Sequence, residues 1–266
     1  MNIGFFDSGI GGLSILKEVV KRLPQYNYIY LADNLNVPYG EKSADEIYIL
    51  TIKAVEFLFH HNCDLVILAC NTATTTSLST IQQQFLPAKY PEKKVLGITR
   101  PAMEGALETH PKIIGVIATE ATVRSESFPI ELNNLHENIP VFQQACPKLV
   151  PLIESGKTEE IDSILPDYLN PLLEKNIDTL ILGCTHYGLI SAQIKKHIGP
   201  HIRVIGEGVK TAVKLEDYLK RHIAIEQKLS QNSTRDYFVT KEDPRYQPLF
   251  RNIMEDESIN LITCNL

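Results

Sequence analysis

Short apolar runs alternate with amphipathic stretches of helical length along most of this chain. NIGFF at the start leads into a segment in which Leu13, Leu16, Val20 and Leu23 share one helical face. YIYLA follows, then a predicted helix over 44–61, DLVILA, a helix over 75–85, and KVLGI. The second half repeats the rhythm: KIIGVIA, a helix near Val123, PVFQQA, helices across 149–175, TLILG, a helix near Leu189, and IRVIG. Nearly continuous apolar strands alternating with helices predict α/β units, with parallel sheets covered on both faces.

The two halves also echo each other. IGFFDSGIGG from Ile3 parallels IGVIATEATV from Ile114, and LVILACNTAT from Leu65 parallels TLILGCTHYG from Thr179. The intervals from Gly4 to Cys70 and from Gly115 to Cys184 are similar in length. This repetition predicts an α/β fold of two pseudo-symmetric, doubly wound parallel-sheet domains facing each other across an active-site cleft. Residues 1–98 plus 210–266 would form the first domain and residues 99–209 the second. The segment after Val209 shows few strand signals and is expected to be helical and to pack back on the first half. Ligands of open α/β sheets sit beyond the carboxyl ends of the strands. The polar signatures DSG, ACNTAT, ATEAT and GCTHY each follow a strand-like run, so facing domains would put Cys70 and Cys184 on opposite walls.

Composition narrows the function. The 266 residues are 44% hydrophobic and 22% charged, ordinary values for a globular protein. A net charge of −6 argues against a nucleic-acid partner, and the short basic clusters near Lys93 and Lys195 read as solvated faces. No apolar run reaches the roughly 18 residues of a membrane helix, and MNIGFFDSG lacks the basic start of a signal peptide. A cytoplasmic protein with reduced thiols is expected. The five cysteines are odd in number, contain no C-x-x-C pair and have no histidine at zinc-finger spacing. That pattern supports neither a disulfide framework nor a metal site.

Burial as an inert thiol is the ordinary fate of free cysteine, and it is the reading for Cys63, Cys146 and Cys264. Packing alone does not ask for cysteine at two matching strand ends, which singles out Cys70 and Cys184. Asn71, Thr72 and Thr185 follow them at helix starts, where anions such as carboxylates are favoured. Asp7 could cap a helix, orient an amine or tune a thiol. The glycines after it depart from a dinucleotide fingerprint, because the third glycine position falls on Ser14 and only Asp33 stands near the required acid. His186 could carry the proton of Cys184 or simply bond a carbonyl, and Glu154 reads as a solvated surface charge. P-loop, H-E-x-x-H, G-x-S-x-G and kinase signatures are absent, and no lysine is marked for a pyridoxal cofactor. Two thiols facing one carbon without a cofactor suit one reaction: one removes a proton, the other returns one to the opposite face, and a stereocentre inverts. The two must start in opposite protonation states, which Asp7 and His186 could arrange.

The motifs FFDSGIGGLS, PYGEKS, ACNTAT, GVIATEATVRS, CPKLVPLIESG and GCTHY run in this order through nearly the whole chain. Together they resemble the cofactor-independent glutamate racemases of the aspartate/glutamate racemase superfamily. The resemblance implies an active site between two α/β domains, with no metal or cofactor. It makes Cys70 the base toward D-glutamate and Cys184 the base toward L-glutamate, assisted by Asp7 and His186 respectively, with Glu154 as an auxiliary acid near His186. Ser8, Pro38, Tyr39, Gly40, Asn71, Thr72, Thr119, Thr122 and Thr185 align with positions that hold the substrate's amino and carboxylate groups. It also implies a small-molecule amino-acid substrate, a supply of D-glutamate for peptidoglycan, and a homodimer. Three positions depart from the family's habit: Lys42 where arginine is usual, Gly188 in place of a proline, and Glu207 in IGEGV, where an aspartate and small residues are usual. Glu207, if it points inward, would repel a dicarboxylate. The rival readings are a racemase of aspartate or another amino acid, and a non-catalytic binding protein on the same fold.

Overall fold

A computed structural model describes residues 1–266. Its strands are β1 (Asn2–Asp7), β2 (Tyr28–Ala32), β3 (Cys63–Leu68), β4 (Lys94–Gly97), β5 (Ile114–Ala118), β6 (Val141–Ala145), β7 (Thr179–Gly183), β8 (Arg203–Ile205), β9 (Arg235–Val239) and β10 (Leu261–Thr263). They form two sheets, all of whose pairings are parallel, in the orders β10-β9-β2-β1-β3-β4 and β6-β5-β7-β8. The first four strands of each half therefore take the same order, and β9 and β10 extend only the first sheet. No helix is long and apolar enough to cross a membrane.

Burial on both faces explains the continuous apolar strands. In the first sheet Ile3, Phe5, Leu65 and Ile67 enter one core cluster, while the alternate residues Phe6, Val66 and Leu68 enter another. In the second sheet Leu180 and Leu182 face one cluster and Ile181 the other. Side chains alternate across a strand, so a sheet covered by helices on both sides must be apolar at every position.

Helix starts carry their local signals. Ser43 Oγ accepts from the Glu46 N–H at 3.3 Å to open Ala44–His60, with Asp45 and Glu46 in the first turn. Thr119 Oγ1 caps Glu120–Arg124 through the Thr122 N–H at 3.4 Å. Gly156, at φ +69°, separates Leu149–Glu154 from Thr158–Leu173 within the stretch expected to be helical.

Two expectations change. The helix expected over 75–85 begins already at Asn71, directly after Cys70, and takes a π-helical form over Ile81–Phe85. The last segment is not only helical. After Glu207–Arg221 it supplies β9 beside β2, with Tyr30 opposite Tyr237, and then β10. The helix Tyr246–Met254 joins these two strands and buries Phe250 against Tyr30, with ring centroids 5.7 Å apart and edge to face.

Replacing Phe250 by alanine removes a fully buried ring from the largest core cluster. The expected cost is about 3–5 kcal/mol of stability, read as a lower urea midpoint at unchanged slope.

Candidate active site

Cys70 and Cys184 occupy matching positions. Each follows the third strand of its sheet in extended conformation, Cys70 at φ −126° and ψ 121°, Cys184 at φ −151° and ψ 131°. Each then opens a helix, Asn71–Thr80 or Thr185–Leu189. Both are almost closed off from solvent, 4% and 6% exposed. The Cys70 sulfur lies 3.7 Å from Ser8 Oγ, on the loop after β1. Burial first, and then the charge of Asp7, push the Cys70 thiol up to about 12, and a charge on Cys184 pushes in the same direction.

The surroundings of Cys184 differ. Its sulfur lies 3.9 Å from His186 Nδ1, and His186 Nε2 lies 2.6 Å from Glu154 Oε1. Burial opposes a charge on His186, yet its bonds to Cys184 and Glu154 hold the imidazole well above its usual range. Burial likewise opposes a charge on Glu154, and its partners, His186 foremost, bring it below the usual carboxylate range. The two shifts agree on a buried imidazolium–carboxylate pair. Glu154 is therefore not the solvated charge its sequence context indicated: its side chain is 11% exposed and accepts two further hydrogen bonds. One comes from the Ile10 N–H at 3.1 Å and one from the Tyr246 hydroxyl at 2.6 Å.

Other contacts join the two sheets. Thr185 donates to Asp7 Oδ2 at 3.0 Å, while the Gly9 N–H donates to Oδ1 at 2.7 Å. Asp7 has no hydrogen bond to Cys70 and reaches it through charge alone. Burial raises the Asp7 carboxyl to about 6 against the pull of His186. On the other side, Thr72 Oγ1 lies 2.9 Å from Thr119 Oγ1, which reaches Thr122 Oγ1 at 3.1 Å. Half-buried Pro38, joined to Val37 by a cis peptide, leads into Tyr39, whose hydroxyl donates to Asp33 at 2.6 Å. Gly40 then lies so close to Thr119 that a Cβ there would stand 2.6 Å from the threonine Cβ. Beside Cys184 a cavity of about 900 Å³ opens, lined among others by Ser14, Thr185 and Glu207.

The three unusual positions have distinct settings. Lys42 pairs with Glu46 at 2.9 Å near the surface. Gly188 faces Ser14, where a Cβ would meet Oγ at 3.2 Å. Glu207 is buried and takes a hydrogen bond from Asn71 Nδ2 at 2.5 Å. Burial, only partly offset by that bond, holds its carboxyl well above the usual range. The repulsion expected of an inward-pointing Glu207 needs a charge, and burial disfavours that charge.

Cys63 and Cys146 lie inside the sheets' cores, and burial raises both thiols. No group of three or more His, Cys, Asp or Glu side chains is placed to hold a metal ion. Sequence reasoning missed Tyr246, which lies in no motif, and the purpose of the GIGG glycines. A Cβ on Gly11 would stand 2.5 Å from both His186 Nδ1 and Thr185 Oγ1, so the backbone must approach closely here. The position of the glycines directly after Asp7 was the available signal.

Asp7 yields a prediction with a definite sign. A carboxyl raised from 3.8 to about 6 on folding stabilises the protein fully only below the unfolded value, and that stability is lost as pH rises through the folded one. Asp7→Asn should therefore be the more stable protein at pH 7, by about 3 kcal/mol for a shift of this size. The gain should vanish below about pH 4, as urea unfolding across pH would read.

Comparison with known proteins bears on this geometry. The family model described as Asp/Glu/Hydantoin racemase matches residues 10–215. A glutamate racemase of a Sulfurihydrogenibium species is 36% identical over 260 residues, covering 96% of this chain and 95% of that protein. Among solved structures, a glutamate racemase isoform of Bacillus anthracis superposes with a TM-score of 0.89 at 29% identity, over 100% of this chain and 97% of the other. The Francisella tularensis glutamate racemase in complex with D-glutamate superposes with a TM-score of 0.86 at 29% identity, over 99% and 97% of the two chains.

Proposed function

Because the chain belongs to the Asp/Glu/Hydantoin racemase family, we propose that it interconverts L- and D-glutamate without a cofactor, with Cys70 and Cys184 as its two bases. The observation that carries this reading is the pair of cysteines after the third strands of two sheets whose first four strands share one order, both in extended backbone conformation. Glutamate is favoured over aspartate because the relatives similar over nearly the whole chain are glutamate racemases.

In the L-to-D direction the Cys184 sulfur takes the α-proton and the Cys70 thiol delivers its own to the opposite face. Cys184 then holds a proton and Cys70 is left as thiolate, ready for the reverse reaction. Starting from L-glutamate, Cys70 must be protonated, and its raised thiol supplies that state. The imidazolium of His186 places a positive charge and a proton donor 3.9 Å from the Cys184 sulfur. Asp7 titrates near neutral pH and adds a charge that Cys70 feels, so it is suited to proton exchange on that wall. The first N–H groups of the helix Asn71–Thr80 have no partner within the helix and suit the substrate's α-carboxylate. The buried hydroxyls of Ser8, Thr72, Thr119, Thr122 and Thr185, with Tyr39 and Gly40, suit the remaining polar groups of the substrate.

The functional unit is read as two domains, residues 1–98 plus 210–266 and residues 99–209, assembled as a homodimer. A cytoplasmic location, where thiols stay reduced, suits two catalytic cysteines and a supply of D-glutamate for peptidoglycan.

Polarimetry on the purified protein with each enantiomer of glutamate and aspartate tests the reading. Glutamate should lose its rotation from either side. Cys70→Ser and Cys184→Ser should each lower racemisation at least about a hundredfold, the loss expected for one general acid–base group. Turnover of aspartate alone would transfer the substrate, and undiminished turnover in either variant would end the two-thiol assignment.

A further inference from the structure

Glu207 opens the helix Glu207–Arg221, which carries the chain from β8 of the second sheet back to the first. Its side chain lies at the seam, 4% exposed, with Asn71 of the opposite sheet as its hydrogen-bond partner. Glu207 Oε2 and Asn71 Oδ1 are both buried and make no hydrogen bond within the chain. Buried polar atoms are ordinarily paired, and those that are not ask for an explanation.

Geometry assigns the roles. An amide has a donor end and an acceptor end. With Nδ2 committed to Glu207 at 2.5 Å, Asn71 must turn Oδ1 the other way, and Asn71 directly follows Cys70 in the chain. A carbonyl oxygen beside the base, buried and without a donor, is suited to the ammonium group of an amino acid whose α-carbon lies between the thiols. Free rotation of the amide would present Nδ2 there half the time, and a donor facing an ammonium repels it.

We propose that Glu207 is a positioning residue: its carboxyl fixes the orientation of the Asn71 amide, so that Oδ1 is presented to the substrate's ammonium group. The role rests on the racemase reading above. It needs an acceptor at Oε1, where Asn71 Nδ2 donates at 2.5 Å.

The test compares the parent, Glu207→Ala and Glu207→Gln in steady-state racemisation from both enantiomers, with thermal melting as a check on folding. Glutamine keeps the acceptor for Asn71 and carries no charge. Glu207→Ala should raise KM for glutamate about tenfold, the loss of one hydrogen bond to a charged group, with kcat changed far less. Glu207→Gln should return KM to within about twofold of the parent, because the acceptor is restored at the same place. Unchanged KM in a folded Glu207→Ala, a fall in kcat alone, or a Glu207→Gln as impaired as the alanine variant would each overturn the assignment. A parent that racemises no glutamate would remove the racemase reading and this role with it. An active parent with an indifferent Glu207→Ala would remove this role only.

Discussion

The carboxylate of Glu154 takes hydrogen bonds from both halves of the molecule, and the site depends on it. His186 reaches it from the second sheet, while the Ile10 N–H and the Tyr246 hydroxyl reach it from segments packed on the first. A buried imidazolium without such a partner would be costly, and removing one member of a buried pair strands the other. One contact thus keeps His186 charged beside Cys184 and binds the two halves together. It also gives the last segment a purpose, because β9 and β10 seat the helix that carries Tyr246.

The two sheets offer equivalent scaffolds for the cysteines, and the chemistry requires their surroundings to differ. Both cysteines end a third strand and open a helix. Burial first, and then the charge of Asp7, keep Cys70 a neutral thiol, against the nearby Ser8 hydroxyl, which favours the thiolate. Cys184 is met by an imidazolium. A racemase needs one base and one acid at the start of each turnover, and identical surroundings would give two groups in the same state. The cross-links follow the same logic. Thr185 reaches over to Asp7 and Thr72 to Thr119, so each helix start is held at the carboxyl end of the first strand of the opposite sheet.

The sheets were legible because strands buried on both faces are apolar without interruption, as LVILA and TLILG are. The strand β9, with residues RDYFV, mixes charge with aromatics one strand in from the sheet edge, and the edge strand β10 has three residues, two of them exposed. Neither carries the signal of a central strand. The cysteines and their following hydroxyls were legible because repetition marked them. Glu154 was misread from its own context, since its partners His186, Tyr246 and Ile10 are all distant in sequence. Glu207 was visible as an oddity, but its charge state depends on burial that no local pattern reports.

The central claim is that two groups, one on each face, handle the proton, and the fate of solvent deuterium tests it most directly. L-glutamate would be incubated in deuterium oxide and stopped early, and the α-carbon of both enantiomers read by mass spectrometry. Two bases predict deuterium in the D-glutamate formed, with the remaining L-glutamate still protiated, because the proton taken by Cys184 is not the one that Cys70 returns. Deuterium appearing as fast in recovered L-glutamate as in product, or protium carried through into D-glutamate, would contradict the account.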